Sequence, residues 1–407
     1  MRRAIAPVCW LLVSALGAAG ACSSDGASSP EASAGADGTG AHAGAAAVLG
    51  GDGSGASAAR AGAANDAGGV GETGGATAGG VDNAAAGAPM TEAGGAAGAA
   101  GTSGSSNPEP DLVTSSGGPW PDSLTGVCST TSQVTVCPRT SEPFFGQDGT
   151  YRINVPSYTA TTTTLTDSVT GLVWQLTPDQ APKTHAEALT YCEELQLAGQ
   201  SDWRLPSLLE YVSVLDEGMG SGYAMPPAFG FDTVGAQWTA SASGLEADQF
   251  FSMNDQYGEW TLSVEATPLG ARCVRGTAPS GALLSQTDVV TDNRTGLIWQ
   301  VTGLDGSLRT WQSALEFCEG STHAGHDDWR LPSIKELGTL VDEAATEAPA
   351  IRAELGSDVA PRYWSSTPNL NLGGEHFAFA LETSVGYSPS VKMTESAAAA
   401  RCVRSEP

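Results

Sequence analysis

Two short stretches collect side chains able to hold a sugar by hydrogen bonds and ring stacking. One contains Asn254, Asp255, Tyr257 and Trp260; the other contains Asn369, Asn371, Glu375 and His376. A third constellation, His323-x-x-His326-Asp327, has the residue types of a metal site. Arg204 and Arg330 each stand between Trp and Leu and are candidate anion binders. Each has a structural reading beside the chemical one. Asn254-Asp255 precedes Tyr257-Gly258 at a hairpin tip, where Asn and Asp build turns. The histidines suit a solvated helix end, and an Arg ahead of a capped helix suits an ion pair or a carbonyl contact. Trp174, Trp203, Trp299 and Trp329 are expected in the core.

These groups are positioned by an internal repeat. Asp202-Trp203-Arg204-Leu205-Pro206-Ser207 returns as Asp328-Trp329-Arg330-Leu331-Pro332-Ser333, an offset of 126 (329 − 203). Cys192 and Cys318, and Trp238 and Trp364, share that offset. Upstream, Thr166-Asp167 through Trp174-Gln175 mirrors Thr291-Asp292 through Trp299-Gln300. Downstream, Arg272-Cys273-Val274-Arg275 mirrors Arg401-Cys402-Val403-Arg404. So long a period is a tandem domain, not a solenoid repeat. The boundaries are 119–276, including a Cys128/Cys137 lead-in, and 283–407. Each is about 120 residues after the lead-in, enough for its own core. The counterparts of His323, His326 and Asp327 are Leu197, Gln200 and Ser201, so that cluster is not part of the repeat.

Within each repeat, Asp167 and Asp292 open turns closed by Gly171 and Gly296, and an apolar Leu-x-Trp follows. Thr184-x-x-Glu187 is a capping box for a helix with Leu189, Cys192 and Leu195 on one face and Gly199 as C-cap. The second repeat places Trp311, Ala314, Leu315 and Cys318 on the matching face. Ser207-x-x-Glu210 and Ser333-x-x-Glu336 cap a second helix, ending near Gly218 and near Glu343. Short strands rich in Trp, Phe, Tyr and Thr complete each repeat. The class is α+β: two helices and a small, mostly antiparallel sheet, twice, after a linker. The segments 218–236, 243–260, 343–362 and 368–390 are the variable connections where recognition is expected.

If Cys9 leaves with a signal and Cys22 is lipidated, six cysteines remain, and six allow 15 pairings. The repeat selects Cys192 with Cys273 and Cys318 with Cys402, leaving Cys128 with Cys137. Each long loop is worth at most about 4–5 kcal/mol on the chain-entropy model. With the cysteines so assigned, and no Ser-His-Asp order or paired carboxylate recurring in both repeats, no enzyme is expected.

Residues 1–21 have the charged end (Arg2, Arg3) and short apolar middle of a secretory signal. Ala19-Gly20-Ala21-Cys22 resembles a bacterial lipobox, with Ala19 where Leu is usual; cleavage after Ala-x-Ala, giving plain secretion, is the alternative reading. Ser23 favours an outer-membrane destination for a lipoprotein anchored through Cys22, with no membrane span. Residues 22–118 are a Gly/Ala/Ser-rich linker, lacking the large apolar residues a core needs. Its span is roughly 50–60 Å. The chain carries −27, and residues 111–407 hold 15 bases and 36 acids, a net of −21. That charge argues against nucleic acid as a partner.

The motifs Asp-x-x-Thr-Gly-Leu-x-Trp-Gln, Tyr191-Cys192, Asp-Trp-Arg-Leu-Pro-Ser, Trp-Ser-Ser-Thr and Arg-Cys-Val-Arg together resemble the Lcl C-terminal domain family, named for a Legionella collagen-like surface adhesin. The resemblance covers most of 120–407. The Arg-Leu-Pro-Ser-x-x-Glu portion is also similar to formylglycine-generating and other C-type-lectin-like folds. The resemblance implies a C-type-lectin-like fold shown twice, with helix Cys bonded to last-strand Cys, and surface binding or adhesion toward a polysaccharide, matrix or surface protein; a passive structural envelope protein without a soluble ligand is the alternative reading, and a metal-dependent enzyme the less favoured third. The named adhesin binds sulfated glycosaminoglycans through basic residues; this acidic chain departs from that. Asn254-Asp255 is similar to the calcium pair of true C-type lectins. Calcium is thus the one cofactor to consider, with turn chemistry as the alternative and no other cofactor expected.

Overall fold

The computed structural model describes residues 113–115, 118–123, 126–216, 223–230, 235–357, 359–372 and 376–406. The segment read as a secretory signal, Cys22, most of the stretch read as a linker and Glu375 lie outside the described residues. No helix among the described residues is long and apolar enough to cross a membrane.

Both repeats are mostly strand with two short helices each, consistent with an α+β class. Repeat one opens with strands Tyr158–Ala160, Thr164–Asp167 and Val173–Gln175, and its last strand, Val274–Arg275, returns antiparallel beside Val173–Gln175. Repeat two does the same with Leu283–Ser285, Val289–Asp292, Leu297–Gln300 and Val403–Ser405. The start and end of each repeat therefore meet. Between them lie helices α1 (His185–Glu193) and α2 (Leu208–Val214) in repeat one, and α3 (Trp311–Glu319) and α4 (Ile334–Gly338) in repeat two. A second sheet follows, built on Ala236–Ala242, Gln249–Asn254 and Glu259–Val264 in one, and on Arg362–Asn369, Phe377–Glu382 and Ser390–Lys392 in the other.

The local signals act as expected at the helix starts. Thr184/Glu187, Ser207/Glu210 and Ser333/Glu336 form reciprocal capping boxes, satisfying amides that a helix N-terminus leaves unpaired. The helix ends differ from expectation. α1 stops at Glu193, six residues before Gly199, which instead closes a tight Leu197–Gln200 turn with φ 71°. α4 stops at Gly338 because the following chain turns to pair, Val341 bridging Ile351 and the Asp342 amide donating to Ala350.

All three expected disulfides are present: Cys192–Cys273, Cys318–Cys402 and Cys128–Cys137. Each long bridge ties the first helix of a repeat to the chain just before its last strand.

The expectation of an independent core per repeat needs correction. Each repeat has a small private cluster around its disulfide: Trp203, Leu205 and Trp238 in one, and Trp311, Trp329 and Trp364 in the other. The largest cluster belongs to both, joining Trp174, Tyr211, Val212 and Trp260 to Trp299, Leu337, Tyr363 and Phe379. Equivalent positions of the two repeats meet in this region. A Cβ on Gly338 would lie 3.0 Å from Val212 Cγ1, and those positions are 126 residues apart, the repeat offset. The glycine-closed hairpin turns at Gly258 and Gly386 align Trp260 with Ser388, and these two exchange hydrogen bonds.

The described residues of 113–154 precede repeat one in sequence, and several of them pack on repeat two. The Thr367 hydroxyl donates to Asp148, Ser129 shares a hydrogen bond with His376, and the Phe144 ring sits 6.1 Å from Trp311. The buried Lys335 ammonium joins three parts of the chain, donating to the carbonyls of Asp122 (3.0 Å) and of Ser213 in α2 (3.2 Å).

Candidate functional site

The repeated signature is taken up by bonds that hold the fold. Arg330 forms a two-pronged pair with Glu336, both contacts 2.6 Å, and the same carboxylate accepts the Ser333 amide as helix cap. Arg204 and Glu210 repeat this arrangement. Arginine suits it because its planar fork matches a carboxylate at two points. The Arg204 and Arg330 backbones bridge to Val274 and Val403, and Asp202 and Asp328 hold the guanidinium groups of Arg275 and Arg404. Buried Arg272 and Arg401 donate to the carbonyls of Gln175 and Gln300, each at 2.8 Å. Asp167 and Asp292 accept from their own turns, and the four tryptophans Trp174, Trp203, Trp299 and Trp329 are buried. Arg204 and Arg330 are therefore structural cations.

The two expected recognition stretches are brought together, but largely against each other. Trp260 is fully buried: its indole N–H donates to the Gly386 carbonyl at 2.8 Å and its amide to Ser388 Oγ at 2.8 Å. It is a core residue joining the repeats, not a stacking platform for sugar. Asp255 is buried and accepts the Tyr211 hydroxyl at 3.0 and 3.2 Å. Asn254 accepts the amides of Gln256 and Tyr257, closing its own turn. Asn369 is buried, donating to Ser390 and to the Tyr257 carbonyl. The Asn371 amide donates to the Asn369 side chain, and His376 faces the lead-in at Ser129. The His323 ring packs beside Trp329 and donates to the Asp288 carbonyl, while His326 and Asp327 are exposed. No group of three or more His, Cys, Asp or Glu among the described residues is placed to hold a metal ion.

An open groove lies instead along the seam between the lead-in and repeat two. One part, about 330 Å³, is lined by Phe145, Tyr151, Ile153, Glu319 and Trp329 among others. A second part, about 420 Å³, is lined by residues 140–143, Phe145, Glu316, Glu319 and Gly320. Phe145 and Glu319 belong to both. The Tyr151 hydroxyl donates a short hydrogen bond to Glu319, and the Arg330 guanidinium lies 5.2 Å over the Tyr151 ring. Burial raises the Glu319 pKa, with the Tyr151 hydroxyl and Arg330 working in the opposite direction. Burial and the adjacent Glu319 carboxylate push the Tyr151 phenol well up. The lead-in creates this environment. The counterpart of Glu319 in repeat one is Glu193, which is exposed. The Arg330 side chain is 6 % exposed, whereas Arg204, which lacks such a cover, is 38 % exposed.

Tyr151, Phe145 and Glu319 were not among the sequence candidates. Phe144-Phe145 marks the end of the lead-in, but nothing in the repeat pattern distinguishes Glu319 from Glu193. A family model described as the Lcl C-terminal domain matches the chain twice, over residues 163–275 and 288–404. A search of curated proteins finds no match. Both matched segments begin after the lead-in, so Phe145 and Tyr151 are additions to the matched repeats.

Proposed function

We propose that this chain, which belongs to the Lcl C-terminal domain family, is an envelope-anchored binding protein whose head engages an extracellular polysaccharide or a surface protein. Family membership supports an adhesin-like role and an envelope location. The observation that carries the reading is the division of labour in the head. The repeated signature is occupied by internal bonds, and the seam groove, built by a segment outside the repeats, offers aromatic and carboxylate groups to a ligand. We read each repeat as C-type-lectin-like, a reading supported by its meeting ends and its helix-to-terminal-strand disulfide. Binding without catalysis is the reading adopted. Cys22, read as the acylated residue, anchors the head to the outer membrane.

Two measurements test this. The full chain, applied to immobilised envelope proteins and matrix polysaccharides with and without calcium, should bind at least one class saturably; no binding to either contradicts the reading. Cys22→Ser should move the protein from membrane to soluble fraction, and unchanged partitioning would contradict the lipid anchor.

A further inference from the structure

We propose that the seam groove binds a basic peptide segment of a partner protein, a lysine or arginine head meeting Glu319 while its stem lies along Phe145 and Tyr151. The proposal deepens the binding reading and rests on it. Shape is the first argument. The two parts of the groove adjoin, sharing Phe145 and Glu319, and an extended chain can occupy both.

Charge selects the occupant. Carboxylates of Glu142, Glu316, Glu319, Asp327, Asp328 and Glu406 line the two parts, against one lining cation, Arg330, which is already committed to Glu336. Arg404 holds Asp328, and the others leave a clear negative excess. Sulfated glycans and nucleic acids are repelled by such walls, while a basic segment is attracted. Glu319 is the focus because its carboxylate is partly withdrawn from water and its hydrogen-bond partner, the Tyr151 hydroxyl, is neutral. An arriving cation offsets a desolvation cost that the fold has already met, so its charge counts for more there than at an exposed acid. The aromatic walls suit the methylene stem of Lys or Arg, whose charged head stays at the polar end. The chain's own upstream segment is a poor occupant, since residues 1–112 contain only three bases, Arg2, Arg3 and Arg60.

The test is calorimetric titration of the full chain with pentalysine and pentaarginine amides, with pentaglutamate and neutral dextran as comparison probes. Because any cationic peptide is drawn weakly to a chain of charge −27, the informative quantity is a difference between variants of equal charge. Glu319→Gln should weaken pentalysine binding about ten-fold, whereas Glu246→Gln, at an exposed acid in repeat one, should change it less than about two-fold. Phe145→Ala should weaken it several-fold with no change in charge. Equal affinities for the Glu319→Gln and Glu246→Gln proteins would overturn the proposal, as would tighter binding of dextran than of either basic peptide. If a surface protein is captured but neither basic peptide distinguishes these variants, the groove assignment fails while the binding reading stands.

Discussion

Trp260 and Ser388 occupy equivalent positions of the two repeats and bond to each other: the Trp260 amide donates to Ser388 Oγ at 2.8 Å, and the Ser388 amide donates to the Trp260 carbonyl at 3.1 Å. Val212 and Gly338 are a second such pair. At a two-fold axis a residue meets its own copy, and two large side chains cannot share the space. In both pairs one member is large and the other small. Divergence of the repeats there is what lets them share a core, so the whole head is expected to unfold together.

Trp260→Ala should therefore destabilise both repeats, by about 3–5 kcal/mol, because it opens a cavity in the common core. Urea unfolding followed by probes in each repeat would show one transition moved to lower urea. A melting temperature close to that of the parent would return Trp260 to the surface.

Gly338→Val places methyl groups where Val212 already stands and should cost about 1–3 kcal/mol or more through overpacking. Val212→Ala should recover part of that loss in the double variant. Purely additive effects in the double-mutant cycle would mean that the two positions do not touch.

The equivalent ion pairs should differ in weight. Glu336→Ala leaves Arg330, only 6 % exposed, without its partner and should cost about 3–5 kcal/mol. Glu210→Ala leaves Arg204, 38 % exposed and solvated, and should cost distinctly less. Equal losses in thermal unfolding would show that the lead-in does not cover Arg330.

The raised pKa of Glu319 sets the sign of a pH effect. Its protonated form is favoured by folding, so its contribution is greatest below the ordinary glutamate value of 4.5 and falls as pH rises through the raised folded value. Glu319→Gln cannot ionise and should raise the melting temperature at pH 7 relative to the parent, with a smaller difference at pH 4. A larger gain at pH 4 would contradict the assignment.

Much of the fold was legible because its signals are local or duplicated. Capping boxes, Asp-Gly turns and the two long disulfides could be read directly from residue spacing and the internal repeat. The candidate loops were less legible. An aromatic residue beside a turn, such as Trp260, looks the same in sequence whether it faces solvent or an adjoining repeat. Burial of Asp255 under Tyr211 depends on helix packing 44 residues away in the chain. The seam groove could not be read, since the lead-in adjoins repeat one in sequence and covers repeat two in space. That return is fixed by long-range contacts such as Asp148 with Thr367, 219 residues apart.

The claim on which the rest depends is that the lead-in and both repeats form one body, with the groove at one of its seams. Differential scanning calorimetry of the full chain tests it most directly. One body predicts a single endotherm whose calorimetric and van't Hoff enthalpies agree, and which Trp260→Ala shifts as a whole. Two resolved endotherms, only one of them moved by Trp260→Ala, would contradict it.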